Sequence, residues 1–248
     1  MNVVFLHGLA GESRDFSEVA ALLKGWRVIT PAIDYFSGKF VSLPELAGQV
    51  AEELPQDLDT AQSLVVGNSL GGMLALALAG RFGRVLLAGA HIRTQSGFVG
   101  RGRKMLHTEL GRIFHDPSLL TPEQVARYEE RWKQFASSRE LVRRLKPLKR
   151  MLGEFCGSRL YQEHQDRIHL VCGESDSISP VEVCRELQAA YPAMELTVLE
   201  RCGHAVPLEQ PKALADVLNK EWRALAKKCL PLEPSSAKFF SSMVTETV

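Results

Sequence analysis

The sequence predicts an α/β fold, a mostly parallel sheet of about six strands flanked by helices, with a helical segment inserted after the fourth strand. Three observations carry this reading. Short β-branched runs alternate along the chain with segments whose apolar positions recur at helical spacing. The strand-like runs are apolar throughout, as expected of strands covered on both faces. The alternation stops between residues 91 and 164, where only helical patterns occur, and resumes at Arg167.

Val3-Val4-Phe5-Leu6 is the first strand, and it ends at His7-Gly8-Leu9-Ala10-Gly11, a loop able to present backbone N–H groups. Ser13 or Asp15 is placed to cap a helix that carries Phe16, Val19, Ala20, Leu22 and Leu23 at helical spacing. Residues 26–30 read as the second strand, closed by Pro31. Ser42 and Pro44 open a helix over 43–54, with Leu46, Ala47, Val50 and Leu54 on one side. Leu64-Val65-Val66 is the third strand, and residues 84–90 are the fourth. Within the insert, helical patterns cover 105–114, 121–135 and 138–155, and Thr121-Pro122-Glu123-Gln124 is a strong helix opening. Strands at 167–172 and 195–199 and helices at 180–190 and 211–228 complete the pattern. The expected division is a core of residues 1–90 and 165–230, a helical lid over 91–164, and a flexible tail over 231–248, where proline and serine accumulate.

With 30 basic and 29 acidic residues, global charge favours no polyanionic partner, so nucleic acid is not expected. No apolar run reaches membrane-spanning length, and Met1-Asn2 leads straight into a strand with no leader-like pattern. A cytoplasmic setting is expected. The five cysteines are odd in number and lack Cys-x-x-Cys spacing, which indicates neither a disulfide framework nor a zinc site; they read as buried thiols. No metal or cofactor is expected, because no ligand cluster or phosphate-cradling loop is present. Residues 91–150 hold fourteen Lys/Arg against six Asp/Glu, a net charge of +8. That charge reads as a solvated helical face, or as attraction of an anionic substrate.

Chemistry concentrates at Gly67-Asn68-Ser69-Leu70-Gly71-Gly72, a turn between strand and Ala/Leu-rich helix. Such an elbow strains the serine backbone and exposes its hydroxyl near a helix N-terminus, and Gly67 and Gly71 make room for backbone passing close by. Two further loops follow strands on the same sheet edge, and they carry Asp176 and His204. An imidazole can take the serine proton and return it to a leaving group, while a carboxylate on its other nitrogen fixes the tautomer. Asp176 is preferred over Glu174 for its shorter reach before Pro180. The backbone N–H groups of Leu9 and Leu70 are the candidate oxyanion donors. His7 sits too early in its loop to be the base and reads as a partner of the backbone. His91, His107, His115 and His164 read as solvated.

His7-Gly8, the elbow motif, Gly173-Glu174-Ser175-Asp176 with Pro180, and Gly203-His204 with Pro207 and Pro211 together resemble the α/β-hydrolase fold superfamily over nearly the whole chain to about Lys228. The chain begins where that family's third strand lies, which leaves a six-stranded parallel core. Serine at the elbow separates it from the dehalogenase and epoxide hydrolase branches, whose members carry aspartate there. The resemblance implies a serine hydrolase acting on a small-molecule carboxylic ester, or a thioester. Residues 116–123 and the following helix with Arg127 and Arg131 are similar to the lid of meta-cleavage-product hydrolases, which implies carbon–carbon hydrolysis as the alternative reading, with lid arginines holding a substrate carboxylate. Those enzymes have a longer glycine-rich loop after the first strand and a tryptophan where this chain has Ala205. A non-catalytic binding protein on the same fold is the reading from outside enzymology.

Overall fold

The computed structural model describes residues 1–9, 11–35, 42–90, 113–135 and 158–229. Six strands, β1 (Asn2–Leu6), β2 (Arg27–Ile29), β3 (Leu64–Asn68), β4 (Arg84–Ala88), β5 (Ile168–Gly173) and β6 (Glu195–Leu199), form one sheet. Its order is β2-β1-β3-β4-β5-β6, and every pairing is parallel. The predicted parallel α/β architecture is the observed one.

Period-two alternation divides each inner strand between two cores. On one side Val4, Leu6, Val65, Val85, Leu87, Leu170 and Cys172 meet the helices α2 (Leu43–Glu52), α3 (Leu70–Ala77), α5 (Ser158–His164) and α6 (Val181–Ala190). On the other side Val3, Phe5, Leu64, Val66, Leu86 and Val171 meet α1 (Ser17–Leu22) and α8 (Pro211–Cys229). Phe5 and Phe16 stack at 4.5 Å between ring centroids and pin the turn before α1 to the sheet. In α3 all residues from Leu70 to Leu76 are buried, which is why that helix reads as apolar on every face.

Helix boundaries follow their caps. Ser42 accepts the Glu45 N–H at 3.2 Å, as its position before Pro44 predicted. Helix α4 (Pro122–Phe135) opens on a reciprocal box in which Thr121 and Gln124 each accept the other's backbone N–H. The first helix departs from expectation. It starts as a 3-10 turn over Ser13–Phe16, in which Asp15 accepts the Glu12 N–H, while Ser13 donates its hydroxyl to the Thr30 carbonyl and so ties the turn to the end of β2. Helix α5, at the end of the expected lid segment, lies against the sheet's helical layer, with Tyr161 buried in the core. Residues 91–112, 136–157 and 230–248 lie outside the described residues, and with them two of the expected lid helices, the expected tail and most of the basic positions.

The ladder register brings the carboxyl ends of the strands level. Leu6 lies opposite Gly67, Asn68 opposite Ala88, Ala88 opposite Val171 and Gly173 opposite Leu199. Residues that follow these positions therefore leave the sheet from one edge.

Candidate active site

Ser69 joins β3 to α3 at φ 55° and ψ −121°, a region that costs a non-glycine residue about 1–3 kcal/mol. The surrounding backbone fixes this conformation. The Ser69 N–H donates to the Ala88 carbonyl at 2.8 Å, so the elbow is held to the end of β4. A Cβ on Gly67 would fall on the Gly71 carbonyl, and one on Gly71 would fall on the carbonyls of Leu6 and His7. Both glycines are thus demanded by backbone passing close by, as the motif predicted. A Cβ on Gly8 would lie 3.0 Å from the Ser69 Cβ, which sets the loop after β1 directly beside the serine.

Asp176 and His204 meet on the same edge. His204 Nδ1 lies 2.8 Å from Asp176 Oδ2, and both residues are buried. An ionised carboxylate accepts only, so Nδ1 carries the proton and Nε2 is left as the basic nitrogen. The other carboxylate oxygen accepts the N–H groups of Ile178 and Ser179 at 2.8 and 2.7 Å. Glu174, the rival carboxylate, is exposed. The pair borders the same strand end as the serine: a Cβ on Gly89, itself at φ 51°, would lie 3.1 Å from both Asp176 Oδ2 and His204 Nδ1. Gly89 follows Ala88, the residue that receives the Ser69 N–H.

His7 does what its position suggested. The Ile33 N–H donates to His7 Nε2 at 3.2 Å, which makes Nδ1 the protonated nitrogen, donating to the Gly8 carbonyl at 3.0 Å. The buried Tyr35 hydroxyl donates to the His7 carbonyl at 2.5 Å, and burial pushes its pKa up. Among the described residues, no backbone carbonyl receives the N–H of Leu9 or of Leu70. Cys202 is buried beside the histidine loop, and burial pushes its thiol up, so it stays neutral.

His115 is exposed, as expected, and it also makes two contacts: Nδ1 lies 2.8 Å from the Ser175 Oγ, and its backbone N–H donates to Glu209 at 2.6 Å. Glu209 also accepts the Gly203 N–H, and the Ile113 carbonyl accepts the His204 N–H at 2.6 Å. Sequence reasoning passed over Glu209, although it is a lone acid among apolar and proline residues one turn beyond His204. Arg127, placed by its motif as a candidate anion holder, lies 3.2 Å from Glu12 and so pairs with the protein itself. The side chain of Arg131 lies outside the described residues.

His169, Glu195 and Glu221 bring ligand atoms within 4.8 Å of one another. Their neighbours do not suit a metal. His169 is engaged by Glu221 and Thr197, and Arg84 lies 3.0 Å from Glu221 and 3.6 Å from Glu195. Arg84, with Lys220 at 2.7 Å from Glu195, already supplies positive charge to both carboxylates, so a metal cation would have to displace it.

The family model of the alpha/beta hydrolase family matches residues 3–217. Among curated proteins, the chain is 23% identical over 241 residues to an uncharacterized hydrolase, YugF, of Bacillus subtilis (strain 168), with 86% of this chain and 87% of that protein covered. Among solved structures it is similar to the meta-cleavage product hydrolase CumD from Pseudomonas fluorescens IP01, with a TM-score of 0.74 and 20% identity, covering 90% of this chain and 91% of that one. A thermophilic esterase from Thermogutta terrifontis gives a TM-score of 0.63 at 16% identity, covering 91% of this chain and 90% of the esterase. At these identities the structural likeness shows the fold, and the family model extends it to membership: the chain belongs to the alpha/beta hydrolase family.

Proposed function

We propose that this hydrolase cleaves a carboxylic ester, or a thioester, through an acyl-enzyme on Ser69. The observation that carries the reading is the buried Asp176–His204 pair, 2.8 Å apart, bordering the strand end to which the strained Ser69 is bonded. In this reading His204 Nε2 takes the Ser69 proton as Oγ attacks the substrate carbonyl, and the protonated imidazole then protonates the departing alkoxide or thiolate. Asp176 holds the Nδ1 tautomer and stabilises the imidazolium. The N–H groups of Leu70, at the start of α3, and Leu9, beside Gly8, receive the developing oxyanion; each such donor is worth on the order of 3 kcal/mol of barrier. Water, activated by the same imidazole, then releases the acid. In this reading the described residues 113–135 belong to a lid at this edge, a role supported by the Ile113 carbonyl on His204 and by Arg127 on Glu12. The net positive charge of residues 91–150 favours an anionic substrate. Carbon–carbon hydrolysis stays second, because Arg127, the motif arginine whose side chain is described, is paired with Glu12.

Hydrolysis of a chain-length series of p-nitrophenyl esters tests the reading. Wild-type turnover should fall by about 10³-fold or more in Ser69→Ala, and the length profile should give the depth of the acyl pocket. Equal rates in the two proteins would remove Ser69 as nucleophile. A folded wild type inert on every ester but active on a dienoate product of ring cleavage would transfer the site to carbon–carbon chemistry.

A further inference from the structure

Glu209 closes the short helix α7 (Val206–Glu209), which begins two residues beyond His204. Its half-buried carboxylate gathers backbone donors from two segments far apart in the sequence. Oε2 accepts the Gly203 N–H at 2.7 Å, while Oε1 accepts the N–H groups of His115 and Asp116 at 2.6 and 3.4 Å. The two segments also touch directly, because the Ile113 carbonyl receives the N–H groups of His204 at 2.6 Å and Ala205 at 3.3 Å. A Cβ on Gly203 would lie 2.6 Å from the Ile113 carbonyl oxygen and 2.7 Å from the His115 nitrogen, so no side chain fits between them. His115 in turn reaches Ser175, next to Asp176. Burial is the main effect on Glu209 and raises its carboxyl above the usual range, with the three N–H donors opposing it. Charge-assisted bonds of this kind are about twice as strong as neutral ones and geometrically demanding.

We propose that Glu209 is a positioning residue for His204: its carboxylate fastens the histidine loop to residues 113–116, so the imidazole is set against Asp176 only while that part of the lid segment is docked. The proposal rests on the reading of Ser69, Asp176 and His204 as the reacting groups. Without the carboxylate, the N–H groups of Gly203, His115 and Asp116 lose their shared acceptor, and the loop that carries His204 is held by the Ile113 carbonyl alone among these contacts. A displacement of about 1 Å at a reacting group is enough to cost about 100-fold in rate. Substrate binding depends on other surfaces, so the loss should appear in kcat.

The test compares wild type, Glu209→Ala, Glu209→Gln and, as a control, Glu182→Gln on the exposed side of α6. Each is assayed with p-nitrophenyl butyrate, by thermal unfolding, and by the downfield proton NMR signal of the His204 Nδ1–H shared with Asp176. In Glu209→Ala, kcat should fall about 10- to 100-fold with KM within about twofold, and the Nδ1 signal should broaden or shift in the folded protein. Glu209→Gln keeps one acceptor oxygen and should lie between, and the control should match wild type. Lowered thermal stability with unchanged kcat and an unchanged Nδ1 signal would overturn the proposal and leave Glu209 a purely structural residue. If Glu209→Ala fails to fold, Glu209→Gln decides by the same criteria. If Ser69→Ala retains turnover, the hydrolase reading fails, while the Nδ1 signal still decides whether Glu209 positions His204.

Discussion

Two buried histidine–carboxylate pairs hang from the same strand, and they differ in what surrounds them. His169, within β5, sets Nδ1 2.9 Å from Glu221, and His204 sets Nδ1 2.8 Å from Asp176, three residues beyond the end of β5. Distance does not distinguish them. In the first pair Thr197 occupies the second imidazole nitrogen, and Arg84 lies against the far carboxylate oxygen while donating to the Asp166 carbonyl at 2.8 Å. In the second, no described residue hydrogen-bonds to Nε2, and the far carboxylate oxygen is met by the backbone N–H groups of Ile178 and Ser179 rather than by a cation. A pair closed on both sides is an ion network of the core. One whose second imidazole nitrogen has no hydrogen-bond partner among the described residues is the one we propose for proton transfer.

Substitutions at the two carboxylates should separate stability from rate. The largest effect is expected at Asp176→Asn: the amide can bond His204 in the wrong tautomer, and kcat on a short ester should drop by about 10⁴-fold, with little change in the urea midpoint. Unchanged kcat would place the base elsewhere. Next is Glu221→Gln. It leaves the Arg84 guanidinium without its buried partner and should cost about 3 kcal/mol in urea unfolding, with kcat within about twofold of wild type. A variant as slow as Asp176→Asn would show that the two pairs are coupled and would break the comparison.

The smallest effect concerns the exposed rim of the Arg84 network. The hydrogen bond from Lys220, at 2.7 Å, is the main cause holding the Glu195 carboxyl below its usual value. Because the folded value lies below the unfolded one, this contribution is complete above the ordinary glutamate range and is lost as pH falls through that range toward the lowered value. Lys220→Met should therefore lose less stability than wild type between about pH 6 and pH 3, read as urea midpoints at matched ionic strength. Parallel profiles would mean that the pair contributes nothing measurable, as for many solvent-facing ion pairs.

Much of this was legible in the sequence because it is local. Apolar runs gave the strands of the sheet, Ser42 and Thr121 gave helix starts, and Gly67 and Gly71 marked the elbow, since each depends on neighbours a few positions away or on backbone sterics. The preference for Asp176 over Glu174 also came from its loop, and in the fold Glu174 faces solvent. Glu209, His115 and Arg84 were not legible in the same way. Their partners lie far along the chain, and a single carboxylate between leucine and glutamine carries no periodicity that names its donors.

By itself the sequence determined a parallel α/β sheet, the order of its elements, and a serine turn that only glycine neighbours permit, because burial pattern and backbone sterics act over short stretches. Only the tertiary structure decided which histidine has both ring nitrogens engaged in a core ion network and which keeps one without a hydrogen bond among the described residues. It also decided that Arg127 is spent on Glu12, and that Glu209 fastens the histidine loop to residues 113–116. The physical reason is that the role of a charged side chain depends on the partners and water around it, and those are set by the register of six strands and by contacts between segments that the chain brings together only on folding.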